Sequence, residues 1–228
     1  MKRTGIFGTG LLAIFLGIGL SPVQVFADSD AVETGRLLAV LLDAGRVTVG
    51  ANLQLINDPE KGDKGFTPGV FEKQLVEKFK ERAKVDLADL KNEKVPELAK
   101  KLLPQLVEAS KGVVADYQPI INKQGVGFKG LIPATFGTQA AAKFRAKTNV
   151  YLKQTMNPPR NPKNQPDEFE MKALAKFADP AYPRQGEKII SETVTAGRPF
   201  GSCCRSFTAR GASAAMESPR VKKISQGT

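Results

Sequence analysis

The sequence predicts an α+β fold in which long helices come first and strands follow. Residues 30–117 consist of amphipathic helical stretches separated by loops rich in Pro and Gly. Residues 150–155 and 187–200 alternate like strands, and one further helix lies between them. Helices followed by strands, without a repeating strand–helix–strand order, are typical of an α+β domain.

Three helices are predicted in the N-terminal half. The first runs from Asp30 to Asn57, because residues that cap a helix precede a run of leucines and valines. The second covers Phe71 to Leu90, where apolar residues recur at helical spacing. The third covers Val95 to about Tyr117, and Pro104 is expected to kink or interrupt it.

A glycine-rich loop follows these helices. Gly125, Gly127 and Gly130 have the spacing of a dinucleotide-binding fingerprint, but that motif needs an apolar strand before it and a helix after it. Polar residues precede this loop and Pro133 soon follows, so a flexible loop is the preferred interpretation. A short helix over 134–149 comes next.

The segment "MNPPRNPKNQPDEFE" follows a strand predicted over Val150 to Thr155. It holds four prolines and three asparagines, which exclude a regular element and indicate an ordered loop. Acidic residues close the loop at the start of the helix "EFEMKALAKFA". The last predicted strand, "EKIISETVTAGRPF", turns at Ala196-Gly197.

The first 27 residues resemble a secretory signal, with Lys2 and Arg3 before an apolar stretch and Val25-Phe26-Ala27 at the cleavage site. An uncleaved membrane anchor is the alternative, but the stretch is short and broken by glycines. Cleavage after Ala27 predicts a periplasmic or secreted protein. Removal of Lys2 and Arg3 with the signal lowers the net charge from +11 to +9. Export argues against nucleic-acid binding, and the sequence also lacks the basic stripe with interspersed aromatic residues that a nucleic-acid binder uses.

The chain contains no histidine and only two cysteines, the adjacent Cys203 and Cys204. A zinc site of the usual kind and a catalytic triad are therefore excluded. The acids Asp167, Glu168 and Glu170 are candidates for acid–base chemistry, but acids at a helix start usually complement the helix dipole. We therefore expect no enzymatic activity.

The loop resembles the "RNPxNxPDxxE" segment of a bacterial family of exported c-type haem domains with a PAS-like fold. The run "IPATFG", the N-terminal helices and the strand before the loop are also similar, over roughly residues 30–200. The resemblance marks eight residues as family positions: Arg160, Asn161, Pro162, Asn164, Pro166, Asp167, Phe169 and Glu170. It implies a haem held by a Cys-x-x-Cys-His motif, a redox or gas sensor function, a homodimer through the N-terminal helices, and a periplasmic redox or signalling partner.

The haem motif is missing where the family places it, because Cys203 and Cys204 lack the spacing and no histidine exists. Read from the third base of each codon, the codons for residues 211–217 permit the residues C-L-S-C-H-G. With suitable third bases, the same offset also permits the tail from Ser202 to read "LLPLFYSKGCLSCHGEPKGEKDISGY", an apolar strand, a haem-attachment motif and a polar loop. This reading predicts a frameshift, natural or from sequencing, near Phe200 to Ser202.

These observations divide the chain into a signal peptide (1–27), a haem-c PAS-like sensor domain (28–201) and an aberrant, out-of-frame disordered tail (202–228). The sensor domain has N-terminal helices (28–120) and a PAS-like part (121–201) whose last strand is expected to be missing. Haem c is expected for the intact family and none for this chain. A haem-free exported ligand-binding or protein-interaction module is the alternative, with Cys203 and Cys204 as a vicinal disulfide, free thiols or intermolecular partners.

Overall fold

The computed structural model describes residues 23–182, 187–195 and 202–210 of the chain, and side chains between residues 29 and 182. This part contains six α-helices and two strands. In chain order they are α1 (Val23–Ala51), α2 (Leu53–Asn57), α3 (Pro68–Ala83), α4 (Glu97–Ile121), α5 (Pro133–Thr148), α6 (Glu168–Ala178), β1 (Glu187–Thr195) and β2 (Ser202–Arg210). Short 3₁₀ helices cover Leu87–Asp89 and Pro162–Asn164.

Helix α1 is the centre of the helical body and contacts α3, α4 and α5. Its apolar residues are not confined to one stripe, because neighbours surround it on several sides. The buried positions of α1 include Leu37, Leu38, Val40, Leu41, Leu42, Ala44 and Val49. The sequence predicts one helix as far as Asn57. In the structure α1 ends at Ala51, and a separate short helix, α2, begins after Asn52.

Helix α3 has a complete N-terminal cap. The Thr67 hydroxyl accepts a hydrogen bond from the Val70 amide at 3.2 Å, and Pro68 occupies the first helical position. The helix ends at Ala83 because Lys84 adopts a left-handed conformation with φ of 57°. The predicted extension to Leu90 is therefore wrong.

Helix α4 runs without interruption from Glu97 to Ile121, although it contains Pro104 and Pro119. Each proline removes one backbone donor from the helix. Ten residues of α4 are buried against its neighbours, and this packing holds the helix together across both prolines: Ala99, Leu102, Leu103, Leu106, Val107, Ala109, Ser110, Val113, Val114 and Ile121. The predicted interruption at Pro104 does not occur.

Phenylalanines join α3 and α5 in the core. The ring centroids of Phe71 and Phe136 lie 5.2 Å apart, and Phe66 meets Phe71 edge to face at 6.3 Å. Helix α1 approaches Phe136 at Gly45, where an added Cβ would lie 2.6 Å from the Phe136 Cε1 atom. This close packing of α1 on α5 requires glycine at position 45.

The prediction of an α+β fold with a PAS-like antiparallel sheet is wrong. The described residues form a helical body, and the two strands among them pair only with each other, antiparallel, with Ile190 opposite Phe207. The predicted strand Val150 to Thr155 joins no sheet. Its alternation has another origin, because Lys153 and Thr155 use their side chains to hold the loop that follows.

The ends of the chain fall largely outside the described residues. This applies to the predicted signal peptide as far as residue 22, to the predicted turn at Ala196-Gly197 and to residues 211–228 of the predicted tail. The first nine residues of that tail form β2, which contacts α1 and α6. Among residues 23–182, 187–195 and 202–210, no helix combines the length and apolarity that a bilayer span needs.

Candidate functional site

The Asn/Pro-rich loop, residues 156–166, lies between the extended segment 150–155 and α6. Its centre is a single 3₁₀ turn that starts at Pro162, where the fixed φ of proline suits the first helical position. The Asn161 side chain caps this turn by accepting a hydrogen bond from the Lys163 amide at 3.0 Å. The loop is therefore ordered by its own asparagines and prolines, as the sequence predicts.

Two side chains of segment 150–155 tie the loop down. Lys153 Nζ donates to the Gln165 carbonyl and to Glu170 Oε2, both at 2.7 Å. Thr155 Oγ1 donates to the Asn164 carbonyl at 2.6 Å. The end of the loop is thus bound to the segment that precedes it.

Helix α6 begins with a complete capping box. The Asp167 carboxylate accepts from the Glu170 amide at 2.9 Å, and Glu170 Oε2 accepts from the Asp167 amide at 2.8 Å. Glu170 therefore serves both the helix start and the contact with Lys153.

The structure gathers the predicted site residues in one continuous stretch. Arg160, Asn161, Pro162 and Asp167 are exposed, Asn164, Phe169 and Glu170 are half-buried, and Pro166 is buried. Five of them have the caps, backbone geometry or carbonyl contact described above: Asn161, Pro162, Asn164, Asp167 and Glu170. Arg160 lies at the exposed start of the turn.

Lys153 and Thr155 are site residues that sequence reasoning missed. Both lie in a segment interpreted as a strand, so their side chains were assigned no role. The signal that could have found them is their position, a few residues before a loop whose carbonyl groups have no sheet to bond to.

The three acids considered for acid–base chemistry all have structural partners. Asp167 and Glu170 form the capping box, and Glu168 Oε1 lies 2.7 Å from Lys172 Nζ. The hydrogen bond from Lys172 lowers the pKa of Glu168, so this carboxylate stays charged at neutral pH. These arrangements match helix-start acids rather than an acid–base pair.

The glycine-rich loop is held against the loop after α2. The Gly125 amide donates to the Pro59 carbonyl at 2.9 Å, and the Lys129 amide donates to Asn57 Oδ1 at 2.9 Å. Gly125 and Gly130 have positive φ, which glycine adopts without strain. No helix starts within the loop to face a pyrophosphate, so the fingerprint spacing has a structural origin.

Each of these two loops contains a buried lysine. Lys64 lies in the loop after α2 and Lys129 in the glycine-rich loop, and each is 3% exposed. The ammonium of Lys64 donates to the Lys61 carbonyl and that of Lys129 to the Lys123 carbonyl. Burial, followed by the charge of Lys64, lowers the pKa of Lys129. Backbone carbonyls thus replace part of the water that would hydrate both ammonium groups.

A separate cleft of about 710 Å³ lies beyond the end of α3. Its lining consists of charged residues: Glu77, Lys80, Glu81, Lys84, Asp86, Asp89 and Glu93. Lys80 and Asp86 approach to 2.5 Å, and their hydrogen bond raises the pKa of Lys80 and lowers that of Asp86. Cofactor pockets are usually lined by apolar side chains, so this cleft does not have the character of a haem pocket.

The two cysteines are consecutive residues of β2, and their backbone register places Cys203 opposite Val194 and Cys204 opposite Thr193. No group of three or more His, Cys, Asp or Glu within the described part of the chain could hold a metal ion.

The chain was compared with models of known protein families, with curated proteins and with solved structures. The family model of the Tll0287-like proteins matches residues 72–209, which is more than half of the chain. The chain belongs to the Tll0287-like family. This is a family of c-type haem-associated domains, and the match includes the whole Asn/Pro-rich loop and α6. Comparisons with curated proteins and with solved structures found no match.

The donor set of this Tll0287-like chain does not fit a covalently attached haem. Attachment needs two thiols separated by two residues and an adjacent histidine. The chain has two adjacent cysteines in β2 and no histidine at any position. The family assignment and the residues present therefore disagree at the attachment site.

Proposed function

We propose that this protein derives from a periplasmic haem-binding domain of the redox or gas sensor type, and that the chain as it stands carries no haem. The observation that supports the proposal is the combination of a family match over residues 72–209 with the missing attachment motif. Helices α4 to α6 and the Asn/Pro-rich loop lie within the matched residues, so we place the proposed loss in the C-terminal segment. We propose no enzymatic role.

A frameshift near Phe200 to Ser202 accounts for this combination. A change of frame that produces the Cys-x-x-Cys-His motif has to precede Gly211. The family match continues to residue 209, past the proposed shift, so it supports the domain assignment and not the position of the shift. Resequencing the gene between the codons for Ala196 and Gly211 tests this range directly. An unchanged sequence in independent isolates or reads counts against a sequencing error, and the natural frameshift is then tested by restoring the frame.

The first functional prediction concerns the chain as it stands. Expressed with a working haem-c maturation system, it should show no haem stain after denaturing electrophoresis, because it lacks the spaced thiols and the histidine. A family member with an intact motif, expressed in parallel, is the control. A stained band at the mass of this chain would contradict the prediction.

The second prediction concerns a variant with the frame restored near Ser202. Its apolar run "LLPLFY" adds large side chains whose burial is worth about 1.5–3 kcal/mol each. A ligand that binds only the folded state stabilises it further. We expect a c-type haem spectrum and a higher melting temperature than that of the chain as it stands. A soluble but colourless product, or an unchanged melting temperature, would refute the frameshift hypothesis.

Export is part of the proposal. We propose cleavage after Ala27, on the basis of the basic, apolar and small-residue pattern of the first 27 residues. Intact-mass analysis of the periplasmic fraction tests it, and a mass that retains residues 1–27 would overturn it.

The proposed partners are a second copy of the chain, bound through the N-terminal helices, and a periplasmic redox or signalling protein. Nucleic acid is not proposed as a partner. Light scattering of the purified protein over a concentration series tests the homodimer, and a constant monomer mass at the highest concentration would exclude it.

A haem-free ligand-binding or protein-interaction module is the second candidate. The absence of histidine favours it, and so does a loop closed entirely by protein groups, Lys153, Thr155 and Glu170 among them. An absorption spectrum of the frame-restored variant separates the two candidates, because only the first predicts a c-type haem band for it.

A further inference from the structure

We infer that Lys153 is the positioning residue of the Asn/Pro-rich loop: it fixes the loop against α6 without any prosthetic group. This goes beyond the proposed function, because it concerns how the chain as it stands holds the loop that carries the family positions. It also makes Lys153 a site residue of this chain that the loop pattern itself does not include.

The first step of the argument is geometric. Lys153 Nζ contacts the Gln165 carbonyl and Glu170 Oε2, both at 2.7 Å, so one ammonium joins three parts of the chain: the extended segment, the loop end and α6. In the sequence, Gln165 lies twelve residues after Lys153 and Glu170 lies seventeen residues after it. No backbone ladder joins these parts, because segment 150–155 belongs to no sheet.

The second step is burial. The side chains of Lys153 and Glu170 are each 13% exposed, whereas those of the neighbouring pair Lys172 and Glu168 are 74% and 85% exposed. Exposed pairs contribute little because water and salt screen them. A mostly buried pair keeps its interaction, and losing one partner leaves the other charge poorly compensated. The two pairs therefore differ in effect although both N–O distances are 2.7 Å.

The third step is the dual role of Glu170. The same Oε2 atom accepts from Lys153 and from the Asp167 amide of the capping box. The position of Lys153 is thereby linked to the start of α6, while Thr155 holds the Asn164 carbonyl independently. Removal of the ammonium should loosen the loop end and the first turn of α6 but leave the helical body unchanged.

Amide hydrogen exchange of the full-length 228-residue chain tests the inference. The variants are Lys153→Met, which keeps the length of the side chain without its charge, Lys153→Arg, which keeps charge and donors, and the control Lys172→Met. In Lys153→Met we expect the amides of Lys163, Asn164, Gln165 and Asp167 to exchange roughly 10- to 100-fold faster, the factor that corresponds to losing hydrogen bonds to a charged group. Pro166 has no amide hydrogen to exchange. The amides of α4 should be unaffected, Lys172→Met should match the wild type, and Lys153→Arg should exchange more slowly than Lys153→Met.

Several outcomes would overturn the inference. One is unchanged exchange in residues 163–167 of Lys153→Met. Another is equal acceleration in α4, which would indicate a general loss of stability instead of a local effect. An arginine variant as fast as the methionine variant, or a Lys172→Met control as fast as Lys153→Met, would also overturn it. None of these results depends on haem, so they are independent of the tests of the proposed function.

Discussion

Replacement of Gly45 by alanine tests how closely α1 packs on α5. In an exposed helix interior, Gly→Ala stabilises a protein by about 0.5–1 kcal/mol, because alanine has the lower conformational entropy in the unfolded chain. At Gly45 the new methyl group would lie 2.6 Å from Phe136 Cε1 and 2.7 Å from Phe136 Cζ. Real Cβ atoms do not approach a ring so closely, so the helices or the ring have to move.

The ring of Phe136 has little freedom to move. It is fully buried and packs against Phe71 with ring centroids 5.2 Å apart. Overpacking of a core costs about 1–3 kcal/mol, which exceeds the gain in helix propensity. We therefore expect Gly45→Ala to lower the free energy of unfolding by about 1–2 kcal/mol, or the melting temperature by roughly 2–4 °C per kcal/mol.

The assay is urea unfolding followed by circular dichroism, with Gly112→Ala as the matched control. Gly112 lies inside α4, and a Cβ there would meet Lys143 Cδ at 3.6 Å, an ordinary contact. The control should be as stable as the wild type or more stable. The double variant Gly45→Ala, Phe136→Leu should lose less stability than the sum of its single variants. The reasoning is refuted if Gly45→Ala is as stable as Gly112→Ala.

Two further predictions concern a helix cap and a buried lysine. Thr67→Ala removes the hydroxyl that accepts from the Val70 amide and should lower the free energy of unfolding by about 0.5–2 kcal/mol, measured by urea unfolding. Burial and then Lys64 lower the pKa of Lys129 below its ordinary 10.5, so between these pKa values the unfolded chain binds more protons than the folded one. The wild type should therefore gain stability relative to Lys129→Met as the pH rises from neutral toward 10.5, whereas an exposed-site control on α3, Lys73→Met, should show no such difference from the wild type.

The helices were predictable because their signals are local. Helix α6 was predicted from its sequence with the bounds that the structure has, because acidic residues mark its start. Helix α3 was predicted too long, because nothing in the sequence shows that Lys84 adopts a left-handed conformation, which is uncommon outside glycine and asparagine. Pro104 does not interrupt α4, because burial of the apolar face of this helix outweighs the hydrogen bond that the proline removes.

The prediction of a PAS-like sheet is wrong because it relied on local pattern, chiefly in Val150 to Thr155. The alternation in Val150 to Thr155 is the pattern of a strand, but a strand exists only when another chain segment provides a ladder for its backbone groups. In the described residues β1 finds such a partner in β2, and segment 150–155 does not. Sheet formation depends on distant segments, so a single segment with alternating residues leaves it undecided.

The candidate site shows the same division between local and distant information. The loop was recognised because its prolines, asparagines and capping acids act within a few residues of one another. The Lys153 contact crosses seventeen residues and has no sequence signature, yet it is the contact that fixes the loop relative to α6. The proposed frameshift after residue 200 would leave this contact in place, since both partners precede it. The chain therefore orders this loop with its own side chains, without the motif that attaches a haem.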